Sequence, residues 1–167
     1  MQIFLRHGDD NKKDKKYKYI HDHSLNFERG SDDIITLTNK LIKKYGYPNK
    51  IYCSPFYRAI QTAQIMHAQL SCYNKDIKIY IDPKLSRFFS PREQNNPSVR
   101  HRTYKYNPPI YEDKYDFYDR VDRLNEKLPN RTKTTWYITH YLVMKRIALH
   151  HHITIPEHMP FLYTMTI

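Results

Sequence analysis

The feature that most constrains this chain is an alternation. Short apolar, β-prone runs at Gln2 to Leu5, Ile51 to Cys53, Lys78 to Ile81 and Trp136 to Thr139 are separated by longer stretches with helical spacing. Ile34, Leu37, Leu41 and Ile42 share one helical face, with Ser31 as the expected N-cap and Gly46 and Pro48 as the stop. Ile60, Ala63, Met66, His67 and Leu70 share another between about Tyr57 and Leu70. Phe117, Val121, Leu124 and Leu128 mark a third between Tyr115 and Leu128, and a fourth helix follows His140 to about Leu149. Residues 161–167 are apolar enough to add a last strand. Strands alternating with helices predict an α/β fold, a three-layer α/β/α sandwich with a mostly parallel central sheet. With 167 residues the chain is the size of one domain, and no linker or internal repeat divides it.

Such sheets bind ligands beyond the carboxyl ends of their strands. Three polar clusters fall there: Arg6-His7-Gly8 after the first strand, Ser54 to Arg58 after the second, and His140 after the fourth. A lone His or Arg at a strand end is usually structural. Two of each at one expected rim, in a chain with net charge +11, point to an anion site. The chemistry of these groups suits phosphate. A neutral imidazole at His7 is a competent nucleophile toward phosphorus. Arg6 and Arg58 can fork onto phosphate oxygens. A second imidazole at His140 can donate to a non-bridging oxygen. The helix after Ser54-Pro55 turns its N-terminal dipole toward the same place. Gly8, one of only 3 glycines, sits beside the expected nucleophile, and Ser54 belongs with it to the binding rim.

These motifs resemble a known family. Phe4-Leu5-Arg6-His7-Gly8 is similar to the Arg-His-Gly signature of the histidine phosphatase superfamily, which includes the cofactor-dependent phosphoglycerate mutases. Ser54-Pro55-Phe56-Tyr57-Arg58-Ala59-Ile60-Gln61-Thr62-Ala63 resembles its second motif, Ser-Pro-x-x-Arg-Ala-x-Gln-Thr-Ala. Tyr137-Ile138-Thr139-His140 resembles its late strand-then-His element. Asp22-His23-Ser24-Leu25 through Gly30 is similar to the approach to its first helix, one residue longer. The resemblance implies transient phosphorylation of His7, a phosphate pocket completed by Arg6, Arg58 and His140, and no metal or cofactor.

One departure matters for chemistry. Ester-cleaving members carry a Glu in a Leu-x-Glu element after the third strand, whereas here Leu85-Ser86-Arg87 places Arg there. The other branch uses an Asp after the second His, where this chain has Tyr141. A positioned acid is worth about 10²–10⁴-fold in rate. Three readings follow: Glu93 folds back from the 82–114 stretch as proton donor, the substrate has a good leaving group, or the pocket binds phosphate without turnover. Asp82 ranks below Glu93 as a donor. The 82–114 stretch holds five of the ten prolines and reads as a long functional loop. Its Arg87, Arg92, Arg100, His101 and Arg102 suit a second anion subsite or a solvated basic loop.

Other features take plainer readings. His150-His151-His152 fit a helix end that favours cations rather than a metal site. His21 and His23 fall in a polar, Lys-rich stretch from Asp9 to His23 and are expected in solvent. Tyr104 to Tyr118 is Tyr-rich with basic neighbours, so nucleic acid is a possible partner, but no nucleic-acid motif accompanies it. Cys53 and Cys72 read as reduced, partly buried thiols. Arg6-His7 comes too early for a signal-peptide core, and no apolar run is long enough to span a bilayer, so no membrane partner and a cytoplasmic, soluble protein are expected. The expected partner is a phosphorylated small molecule or a phosphoprotein.

Overall fold

A computed structural model describes residues 1–10, 23–88, 112–128 and 133–167. The elements run β1 (Gln2–Arg6), α1 (Phe27–Tyr45), β2 (Lys50–Cys53), α2 (Tyr57–Ser71), β3 (Lys78–Ile81), α3 (Lys114–Glu126), β4 (Thr135–Thr139), α4 (Tyr141–His150) and β5 (Thr164–Thr166). The sheet order is β3-β2-β4-β1-β5. The first four strands pair in parallel, and β5 closes the edge antiparallel to β1. Every strand and helix expected from periodicity is present, and the mostly parallel α/β fold stands.

Period-two alternation explains the layers. Ile3, Leu5, Trp136 and Ile138 face α1 and α2, where they pack with Ile34, Leu41, Ala63 and Met66. Phe4 and Tyr137 face α3 and α4, among Phe117, Val121, Val143 and Ile147. The register also aligns an aromatic row on this second face. Phe4 lies opposite Tyr137, Tyr137 opposite Tyr52, and Tyr52 opposite Tyr80. Their rings stack at 4.6, 5.4 and 5.3 Å between centroids. Aromatic neighbours of this kind add about 0.5–1.5 kcal/mol each beyond their buried area.

The start of α1 differs from expectation. Asn26, not Ser31, is the N-cap; its side chain accepts from the Arg29 N–H at 3.3 Å. Ser31 lies one turn inside, where its hydroxyl donates back to the Phe27 carbonyl at 2.7 Å. The stop is as expected. Gly46 takes φ 75° and ψ −174°, and its N–H caps the Ile42 carbonyl. That backbone region is essentially restricted to glycine. Gly46→Ala is therefore expected to lower stability by about 1–3 kcal/mol, checked by denaturant unfolding. No loss would show that the turn relaxes freely.

Among the described residues no helix is long and apolar enough to cross a membrane. Cys53 is buried, but Cys72 is exposed rather than partly buried, because it lies just beyond the last turn of α2. The histidine run at the end of α4 is tied to α3: His150 Nε2 lies 2.7 Å from Asp122, and His151 Nε2 lies 2.8 Å from Asn125.

Candidate active site

The carboxyl ends of β1, β2 and β4 are adjacent, so the segments that follow them converge. Arg6, His7, Arg58, Arg87 and His140 all line one cleft of about 300 Å³. His7 leaves β1 with its backbone N–H on the Thr139 carbonyl, and it is 4% exposed. Arg58 stands in the first turn of α2, and His140 occupies the N-cap position of α4. Among the described residues neither N-cap side chain, Phe56 or His140, caps its own helix, and the N-terminus of α4 begins at the cleft residue His140.

The hydrogen bonds fix the chemistry of His7. Its Nδ1 lies 2.8 Å from the Gly8 carbonyl oxygen. A carbonyl only accepts, so Nδ1 carries the proton. Nε2 then presents its lone pair, and Arg58 Nε donates to it at 3.1 Å. Burial holds the His7 pKa well below 6.5, and Arg58, Arg6 and Arg87 push the same way. The ring is thus neutral and nucleophilic at neutral pH. His140 lies beside it, with ring centroids 5.1 Å apart. Burial, then Arg58 and His7, also hold His140 well below 6.5. Its Nε2 lies 2.8 Å from the Ser54 hydroxyl.

Both shifts make stability depend on pH. An imidazole whose folded pKa is depressed binds its proton only on unfolding. Its contribution is complete above the unfolded value near 6.5 and is lost as pH falls below it. The unfolding midpoint is expected to fall between about pH 7.5 and about pH 5.5, and to fall less in His140→Gln. A midpoint equally steep in parent and variant would remove His140 as a cause.

The remaining cleft groups are electrostatic. Arg58 Nε lies 3.5 Å from Asp10 Oδ2, with side chains only 5% and 10% exposed. Arg6 donates to the Met159 carbonyl and packs its guanidinium 4.4 Å over Phe161. Its buried Nε has no hydrogen-bond partner among the described residues, the kind of donor an anion would satisfy. Arg87 is carried in by the turn after β3. Arg120 holds that turn through the Lys84 and Ser86 carbonyls while forking onto Glu112 at 2.6 and 2.9 Å. Three guanidiniums against the Asp10 carboxylate leave the cleft positive with the His7 and His140 imidazoles neutral.

Two expected binding residues stand behind the cleft rather than on it. A Cβ on Gly8 would come within 3.0 Å of Ile34 and Leu25, and the Gly8 N–H meets the Thr62 hydroxyl at 3.1 Å. Its smallness lets the His7 loop sit on α1 and α2. Ser54 is buried and reaches the site through His140.

Residues 2–165 match the Histidine phosphatase superfamily (branch 1). The chain belongs to this superfamily. Solved structures agree in fold. Bacillus stearothermophilus YhfR is 21% identical with TM-score 0.65, over 98% of this chain and 88% of that one. The ecdysone phosphate phosphatase of Bombix mori is 16% identical with TM-score 0.63, over 98% and 86%. A mycobacterial glucosyl-3-phosphoglycerate phosphatase is 14% identical with TM-score 0.59, over 98% and 88%. No curated protein sequence matches the chain.

Within this family member two expectations change. His23 is not solvated: it is 7% exposed and lines the cleft, on the segment that an isolated bridge between Asp10 and Leu25 folds inward. Asp82 does not line the cleft; its side chain caps the short turn at Pro83–Leu85 by accepting from the Lys84 N–H at 2.9 Å. Glu93, Arg92, Arg100, His101 and Arg102 lie outside the described residues, as do His21 and most of the Tyr-rich stretch. Asp10 and Phe161 are cleft residues that sequence reasoning missed. Asp10 had one signal, its place three residues after His7; Phe161 had none. Among the described residues no group of three His, Cys, Asp or Glu side chains is placed to hold a metal ion.

Proposed function

We propose that the protein is a phosphatase that hydrolyses a phosphorylated small molecule or phosphoprotein through a phosphoryl group carried transiently on His7. The observation that carries this reading is the Nδ1 bond to the Gly8 carbonyl, which commits Nε2 to be the free base. In the first step the Nε2 lone pair forms a bond to phosphorus while the bond from phosphorus to the leaving atom breaks. The ring becomes cationic, and the Gly8 carbonyl stabilises the Nδ1 proton. Arg58 shifts from Nε2 onto the phosphoryl oxygens, joined by Arg6 and Arg87, and His140 with Ser54 behind it donates to a non-bridging oxygen. In the second step water attacks phosphorus, the nitrogen–phosphorus bond breaks, and inorganic phosphate leaves with neutral His7 restored.

The leaving group needs a proton in proportion to its basicity. Glu93 is the donor proposed for an ordinary ester. For a good leaving group, such as an acyl phosphate, a phosphoramidate or an activated aryl phosphate, the arginine cleft suffices. Trapping tests the scheme: brief reaction with a radiolabelled activated phosphate, then denaturation. Acid-labile, base-stable label on the His7 peptide is the expected result. Turnover without any such label would sink the covalent route.

One observation favours a second reading. Asp10 is the carboxylate among the described cleft residues, and it is paired with Arg58. A pocket that binds phosphate groups without turning them over is consistent with that. Saturable phosphate binding with no hydrolysis across a leaving-group series would support this module; robust turnover removes it.

A further inference from the structure

Beside the cleft runs a second, apolar groove of about 370 Å³ between α3 and α4. This volume lies in the ~300–1,000 Å³ range of small-molecule sites. Its walls are apolar and aromatic, among them Phe117, Tyr118, Ile153 and Ile155. The groove borders the catalytic cleft: Phe88 and Leu142 line both. Helix α4 gives it a direction. Its first residues sit at the cleft, and Leu142, Lys145 and Leu149 follow at spacings of three and four, one stripe leading roughly 10 Å away along the groove. Leu142 and Leu149 are 41% and 64% exposed, so both leave apolar surface open on this stripe.

We infer that this groove is the leaving-group subsite, and that the substrate is a phosphate of a bulky aromatic group. The inference rests on the phosphatase reading and deepens it. The phosphoryl group sits at His7, and the organic part passes Phe88 and Leu142 into the groove. A phenolic oxygen leaves more readily than an alkyl one, which suits a cleft whose described carboxylate is already paired. The cations at the groove suit a second acidic substituent. Arg146 is held by Asp122 through two short contacts, whereas Lys145 is exposed on the groove lining with its ammonium 5.9 Å from the centre of the Tyr141 ring.

The test compares phenyl phosphate with 4-phenylphenyl phosphate, whose phenols are of similar acidity, so that chemistry is matched and only groove filling differs. The parent protein is expected to favour the larger ester by about tenfold or more in kcat/KM, a discrimination typical of added apolar contact. Leu149→Glu and Ile155→Ser should each erase that preference while leaving phenyl phosphate turnover unchanged. Binding of 4-phenylphenol, followed by calorimetry, gives a readout independent of hydrolysis. Equal hydrolysis of both esters, unaffected by the variants, overturns the subsite and keeps the phosphatase. No hydrolysis of either ester, with 4-phenylphenol binding that Leu149→Glu abolishes, leaves the groove an aromatic-ligand site but overturns the phosphatase and with it the leaving-group role. Neither hydrolysis nor binding overturns both.

Discussion

His7→Ala is expected to lower kcat toward an activated aryl phosphate by roughly 10⁴-fold or more, since removing a nucleophile from a concerted set costs most of what the set provides. The argument is structural as well as chemical. No other described cleft group offers the same lone pair in the same place. His140, the neighbouring imidazole, is committed at Nε2 to the Ser54 hydroxyl. Removing the His7 ring also leaves Arg58 Nε without its imidazole acceptor. Binding of phosphate should survive, because Arg6, Arg58 and Arg87 remain and the cleft stays positive. The expected signature is thus a large fall in kcat with little loss of phosphate affinity, read from steady-state rates and from competition by inorganic phosphate. Free imidazole added to the variant should restore part of the rate, because the vacated site is buried and shaped for that ring. A variant that hydrolyses as fast as the parent would overturn the role of His7.

How much of this was readable in the sequence depends on whether the signal is local. The strands and helices were, because burial on one face imposes a period that survives in composition, as in the alternation of Ile3, Phe4 and Leu5 between the two layers. That Arg6, His7, Arg58 and His140 meet in one cleft was also readable, since each lies at or after the carboxyl end of a strand in a parallel sheet and such ends converge. Their couplings were not. That Arg58 reaches His7 Nε2 and Asp10 together follows from how α2 packs beneath the His7 loop, which no single segment encodes. The start of α1 differs because Ser31 with two acids after it resembles a cap, while the buried position in the first turn is Gly30, which has no side chain to mark the apolar face. His23 was misread for a related reason. Its neighbours in sequence are polar, and its burial comes from the Asp10–Leu25 bridge, a contact between distant residues. The groove between α3 and α4 is likewise built from residues spread from Phe88 to Ile155.

Arg58→Ala is expected to act on rate and stability at once, and the two effects can be separated. For rate, the proposed scheme has Arg58 fork onto charge that develops on the phosphoryl oxygens, and the variant removes that donor. Loss of one such donor costs about 10²–10³ in kcat. Arg58→Lys should recover little, because an ammonium cannot bridge the oxygens as a guanidinium does. For stability, the variant strips a cation from Asp10, whose side chain is only 10% exposed. Breaking a buried pair from one side costs about 3–5 kcal/mol. Arg6 also acts on Asp10 electrostatically, so the loss should lie near the lower end of that range. Replacing both partners removes the stranded charge. The double variant Arg58→Ala with Asp10→Ala should therefore unfold later than Arg58→Ala alone yet remain as slow. Thermal unfolding and kcat/KM on the same preparations read the two quantities. If the second substitution restored activity along with stability, the slow rate of Arg58→Ala would be a folding defect and Arg58 would lose its place on the phosphoryl group. If stability did not recover, the Arg58–Asp10 pair would not be what the fold depends on there.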